Sequence, residues 1–235
     1  MKAPLGSLPL HMQVTEFLVR ELAAGRLVEG EKLAPEREMA DALGIAVGTL
    51  RKALAELQAR GHLERIQGSG NYIRAGSPQN SIYSMFRLEL ASGGGGLPTA
   101  RVLELKRLRK PRHLPPFGSA DHAHRIRRLR AISGRPAALE EIWLDGSCAE
   151  RLSKGDLLES LYLFYRTRLN LFIETAEDRI GLGEVPDWAP KDFALRPGSP
   201  VPHVMRLSRA ADRSIPEVSQ TWFDPAVAVY VSRLR

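Results

Sequence analysis

The stretch from Lys32 to Ile73, KLAPEREMADALGIAVGTLRKALAELQARGHLERIQGSGNYI, constrains the rest of the chain most. It reads as a helix, a tight turn, a second helix and a two-stranded hairpin with a glycine-rich tip, which is the local pattern of a winged helix-turn-helix. Such a unit presents one helix to a DNA groove. The question for the remaining residues is what controls it.

Upstream, Leu10, Val14, Phe17, Leu18 and Leu22 recur at helical spacing and predict a first helix ending near Gly25. Pro35 is expected to open the second helix, where its missing N–H costs nothing, with Met39, Ala40 and Leu43 facing inward. Glu36 and Glu38 read as charges favoured by the dipole at that helix start. Gly44 supplies the sharp turn, and a third helix from about Ala46 to Ala59 buries Leu50, Leu54 and Leu57. Gly48, Thr49, Arg51, Lys52 and Ala55 are left outside, and Gly61 ends the helix. Strands over Leu63 to Ile66 and Asn71 to Arg74 then flank the polar tip Gln67 to Gly70. On the residues alone, Arg37, Arg51 and Lys52 form either a solvated basic face or one that meets phosphates and bases. Arg65 is open to a phosphate or to an acidic neighbour.

Charge does not decide between these readings. The chain carries a net charge of +7, but residues 1–76 hold ten Lys/Arg against nine Asp/Glu, so the excess lies downstream. There is no apolar run long enough to span a bilayer and no apolar core of a signal peptide at the N-terminus, so a cytoplasmic chain is expected. The single Cys148 has no partner for a disulfide and no local base to activate it.

The N-terminal pattern resembles the DNA-binding domain of the GntR family of bacterial transcription regulators. The resemblance covers roughly residues 8–75. It rests on the turn Gly30 to Leu33, Glu36-Arg37-Glu38, Leu43-Gly44-Ile45, Thr49-Leu50-Arg51-Lys52-Ala53-Leu54, Gly61 and Gly68-Ser69-Gly70. It implies that Arg37, Thr49, Arg51 and the wing glycines Gly68 and Gly70 contact double-stranded operator DNA, with Lys52 and Ser69 completing the candidate set. The chain departs from the family in two places. Leu33-Ala34-Pro35-Glu36 lacks the hydroxyl that caps the second helix in relatives, a loss of about 1 kcal/mol. Ala46-Val47-Gly48 replaces a Ser/Thr-Arg pair whose arginine reads guanine, so a different operator is expected.

Ala75 to Ser81 has the composition of a linker, giving a division into residues 1–76, a linker 77–81 and a second domain 82–235. The glycine run after Ser92 reads as a loop tip, because no Lys-Ser/Thr follows to make it a P-loop. Strands are expected at Ala100 to Leu108, His124 to Ala131, Ala137 to Leu144, Phe172 to Ile180, Pro202 to Ala210 and Glu217 to Phe223. Helices are expected at Leu157 to Leu169 and, shorter, at Pro190 to Leu195. With hairpin turns such as Ser133 to Pro136, this gives a mostly antiparallel sheet with helices packed on it, and an α+β class for the whole chain. Residues 101–130 hold ten Lys/Arg against two Asp/Glu. Within them Arg128 and Arg130, two apart on a strand, share a face and form either an anion clamp or a solvated pair. His122 and His124 beside Asp121 lack a third metal ligand, so no metal site is assigned.

The second half resembles the UTRA effector-binding domain of the HutC subfamily, which has a chorismate-lyase-like fold. The markers are Arg128-Leu129-Arg130, Gly134-Arg135-Pro136-Ala137, Glu140, Ser160-Leu161-Tyr162 and Ile215-Pro216-Glu217-Val218-Ser219. Carried over from members that bind phosphosugars, Arg128 and Arg130 would take the ligand's anionic group, and Ser160 and Tyr162 would donate hydrogen bonds. Glu140 and Glu217 would hold its polar or cationic groups. After the last strand, Phe223-Asp224-Pro225-Ala226-Val227 replaces an arginine-bearing run of the family, which leaves a carboxylate or another anion open as the ligand. The combined resemblance implies a homodimeric repressor, without cofactor, released from a palindromic operator by a small anionic effector. The alternative is an enzyme of the chorismate-lyase-like fold acting on a small carboxylate.

Overall fold

The computed structural model describes residues 9–23, 26–74, 86–93, 97–158 and 160–232. They group into two compact units, one up to Arg87 and one from Leu88 to Val231. The expected linker 77–81 and part of the glycine run lie outside the described residues.

In the first unit, α1 (Leu10–Ala23), α2 (Glu36–Leu43) and α3 (Val47–Ala59) precede the hairpin of β1 (Leu63–Ile66) and β2 (Gly70–Ile73). Val14, Leu18, Leu33, Ala40, Leu50, Leu54, Leu57, Leu63 and Ile73 form one buried cluster, so all three helices and the hairpin share a core. Each buried leucine is worth about 1.5–3 kcal/mol of transfer free energy, which outweighs weak helix ends. Those ends are weak: neither Pro35 before α2 nor Ala46 before α3 makes a side-chain cap. Pro35 stands one residue outside α2, in extended geometry, instead of opening it. Gly44 adopts φ 64°, and the Ile45 N–H reaches back to the Ala40 carbonyl at 3.0 Å, which turns the chain sharply into α3. Gly61 repeats the device with φ 75°. Segment 30–33 pairs with β2, through Leu33 N–H to Asn71 O and Ile73 N–H to Glu31 O at 2.9 Å each, so the wing is fastened to the helices by backbone.

The second unit is a six-stranded antiparallel sheet in the order β4 (Pro98–Arg109), β5 (His122–Ile132), β6 (Arg135–Asp145), β9 (Glu217–Phe223), β8 (Pro200–Ala210), β7 (Ile173–Glu184). A two-stranded ribbon pairs β3 (Leu88–Leu90) with β10 (Ala228–Tyr230). Ser133 and Gly134 both take positive φ, 48° and 76°, the hairpin turn whose twist matches the flanking strands. One face of the sheet packs Ile126, Ile142 and Leu144 against α4 (Leu161–Arg168). The other buries Trp143, Leu129, Leu139 and Trp222 under segments 111–121 and 185–199.

Two expected helices differ. α4 begins at Leu161, because the Ser160 hydroxyl accepts the Leu163 N–H and caps it there, while Leu157 packs into the core from outside the helix. Residues 190–195 form turns, with Phe193 N–H bonded to Pro190 O. Pro186, Pro190 and Pro197 hold this stretch to single turns, and its apolar side chains pack on the sheet. No helix among the described residues is long and apolar enough to cross a membrane.

Candidate DNA-reading surface and effector site

The expected DNA-contacting residues of the first unit come from three elements. Arg37 on α2, Arg51 and Lys52 on α3, and Gly68 and Ser69 at the wing tip are exposed; Thr49 is half-buried in the first turn of α3. Gly68 and Gly70 have φ 76° and 131°, so the tip depends on glycine at both positions. The Ser69 hydroxyl shares a 2.7 Å hydrogen bond with that of Tyr72. Glu36 is the unexpected member. It does more than charge the start of α2: one carboxylate oxygen accepts from Arg51 Nε at 2.7 Å and the other from Arg65 Nη2 at 2.8 Å. The Arg51 hydrogen bond, chiefly, holds the Glu36 carboxyl below the ordinary range against the opposing effect of burial. Arg65 thereby finds its acidic neighbour in Glu36, not beside Glu64, because the hairpin folds back over the start of α2.

In the second unit strand register gathers residues far apart in sequence. Arg128 faces Glu140 across β5 and β6, Glu140 faces Thr221 on β9, and Arg206 on β8 stands between Ser219 and Asp178 on β7. All lie on the sheet face covered by α4. Arg128 and Arg130, each 4% exposed, both converge on Glu140, with contacts of 2.6 and 3.2 Å. Burial alone would raise the Glu140 carboxyl, but the two guanidinium groups outweigh it and hold the group below its ordinary range. Glu140 is thus the counter-charge of the arginine pair.

A second polar group adjoins the first. Glu217 accepts a hydrogen bond from the Tyr165 hydroxyl at 2.5 Å and another from the Ser208 hydroxyl at 2.8 Å, and the Tyr162 hydroxyl meets Ser208 Oγ at 2.8 Å. Asp178 accepts two hydrogen bonds from Arg206 at 2.6 Å and one from the Tyr230 hydroxyl at 2.5 Å, which ties the face to β10 and so to the β3 ribbon. Burial pushes the Glu217 carboxyl up, opposed by the Tyr165 and Ser208 hydroxyls. A carboxyl held more tightly protonated in the folded chain contributes stability that is full below its ordinary 4.5 and is lost as pH rises through the folded value. Glu217→Gln, which cannot ionise, should gain thermal stability relative to the parent as pH rises from acid to neutral. A difference in unfolding midpoint that stays flat with pH would refute the raised value.

Arg206, Ser208, Asp178 and Tyr165 were not singled out by sequence reasoning. The available signal was polar residues two apart, Arg206 and Ser208, in a strand with a buried face. His122 is exposed and His124 is buried with Nε2 at 2.8 Å from Ala149 O; among the described residues no three His, Cys, Asp or Glu gather to hold a metal. Burial, then Asp145, pushes the Cys148 thiol up to about 11, the state of an inert side chain.

Residues 10–73 match the model of the bacterial regulatory proteins of the gntR family, and residues 94–226 match the UTRA domain. Over its full length the chain is 65% identical to the HTH-type transcriptional regulator SmoD of Agrobacterium fabrum, and covers all of it. The chain belongs to the GntR family. This GntR-family regulator is also 25% identical, over 75% of either chain, to MngR of Escherichia coli, the mannosyl-D-glycerate transport/metabolism system repressor. Its fold matches the crystal structure of YydK from Bacillus subtilis with a TM-score of 0.53 at 16% identity, covering 97% of this chain and all of that one. The protein is thus a ligand-binding transcription regulator and not an enzyme: its first unit is the DNA-binding domain and its second the UTRA effector domain.

Proposed function

We propose that this regulator is a cytoplasmic homodimeric repressor of the HutC type, released from a palindromic operator when a small oxyanion-bearing metabolite binds the α4 face of the UTRA domain. One observation carries the choice of ligand. Three buried or half-buried guanidinium groups, Arg128, Arg130 and Arg206, face two paired carboxylates, Glu140 and Asp178, beside a Glu217 that burial drives toward its neutral form. Clustered guanidinium groups in a poorly solvated place favour a phosphate or carboxylate, and their planar forks suit either. Ser160 and Tyr162 at the start of α4 supply hydroxyls on the same side.

Repression is supported by the named role of the Escherichia coli relative, and two-fold symmetry would set two recognition helices against half-sites about one helical turn apart. A division at a 77–81 linker lets ligand binding bias the placement of two reading heads, by as much as its affinity differs between the two arrangements. The hydrogen-bond path from Tyr162 through Arg206 to Asp178 and Tyr230 offers a route to the β3–β10 ribbon. Footprinting upstream DNA with the full chain, with and without a panel of phosphorylated and carboxylated metabolites, tests the proposal. The expected result is a discrete protected palindrome lost on adding one anion. Uniform coverage, or a footprint released only by neutral or cationic compounds, would overturn it.

A further inference from the structure

Glu36 belongs to neither the core nor the expected contact set, yet its side chain joins the recognition helix, the start of α2 and the wing. Its carboxylate is 23% exposed, while the Arg51 and Arg65 side chains it holds are 65% and 46% exposed. The details of the bonds matter more than their number. Glu36 engages Arg51 side-on, through Nε, which leaves the terminal fork of the guanidinium facing outward. It engages Arg65 through one terminal nitrogen, while Arg65 Nε is held by Asn71 Oδ1 at 3.2 Å on β2. Asn71 is buried and Glu36 is fixed by α2, so Arg51 is anchored at its inner nitrogen and Arg65 at its inner and one terminal nitrogen.

We infer that Glu36 is a positioning residue for operator recognition: it presets the Arg51 fork and ties it to Arg65, so that helix and wing read DNA as one unit. A long arginine side chain loses rotamer freedom on docking, and a prior anchor removes that loss from the binding step. The same carboxylate repels phosphate, so it weakens indiscriminate binding while sharpening specific binding. Glu36 thereby differs from a residue that only stabilises the fold and from one that is only an exposed acid. The inference rests on Arg51 contacting the operator.

The test uses the full chain, a duplex that the parent protein selects from a random pool, and poly(dI-dC) as non-specific DNA. Glu36→Ala should weaken binding to the selected duplex about tenfold for each recognition unit, while binding to poly(dI-dC) holds or strengthens. Glu36→Gln, which keeps one acceptor, should fall between the two. Glu36→Ala added to an Arg51→Ala, Arg65→Ala background should cost the selected duplex nothing further. If both DNAs bind more tightly, Glu36 acts only by repulsion; if both weaken in parallel or neither changes, it positions nothing. Each of these overturns the inference. Should Arg51→Ala itself bind the selected duplex as the parent does, the assignment of Arg51 fails and the inference with it. A silent Glu36→Ala beside a defective Arg51→Ala overturns the inference alone.

Discussion

Arg51→Ala is expected to weaken operator binding by about 30-fold to 20,000-fold, because a well-placed arginine contact is worth about 1–3 kcal/mol and the proposed dimer would make it twice. The fold should be nearly untouched. Arg51 lies on the outer face of α3, away from the cluster of Leu50, Leu54 and Leu57, and its link to Glu36 is an exposed ion pair of about 0–1 kcal/mol. The unfolding midpoint and oligomeric state therefore serve as controls, and gel shift or fluorescence anisotropy as the readout. The way affinity is lost also identifies the contact. If the fork meets a phosphate, the slope of log affinity against log salt should fall by about one for each lost contact while base preference stays. If it meets a base edge, preference at one position per half-site should relax with the slope little changed. Unchanged affinity would sink the assignment.

The two units differ in how much of them could be read from the chain. The DNA-binding unit is built from neighbours in sequence: a 3.6-residue apolar period in α3, Gly44 where a left-handed turn is needed, and a short hairpin with glycines at its tip. Such local patterns survive without tertiary information, so helix order, buried faces and wing were legible, and errors were confined to single residues such as Pro35. Even here the Glu36 bridge was missed, since it joins residues 15 and 29 positions away across the fold. In the effector domain Arg128 and Arg130 were visible as a pair because strand alternation puts them on one face. Their counter-charge was not legible, because Glu140 becomes their partner only through the β5–β6 register. Arg206 and Asp178 meet through a different hairpin, β7–β8, and their pairing is set by its register. The stretch 190–195 failed for another reason: prolines at both ends left an apolar segment that packs as turns.

The largest effect in the effector domain should come from disturbing the arginine pair, and the structure changes how that must be done. Replacing Arg128 and Arg130 together with alanine would leave Glu140 buried without the two guanidinium groups that hold it charged. Breaking a buried ion pair from one side costs about 3–5 kcal/mol, a large part of a domain's typical stability of about 5–15 kcal/mol. The double alanine variant would thus lose its response to ligand whether or not the arginines bind one. Removing all three charges avoids this. Arg128→Met, Arg130→Leu and Glu140→Leu in one chain keep the volume and leave no orphaned charge, a change that is often neutral or stabilising by about 1–4 kcal/mol. That variant should melt near or above the parent and bind the same operator with the same affinity, yet stay bound when the releasing anion is added. Glu140→Gln alone should melt well below the parent, because two buried guanidinium groups then lose their shared carboxylate. If the triple variant is released from DNA by the same anion at the same concentration as the parent, the arginines hold the sheet together and the ligand binds elsewhere.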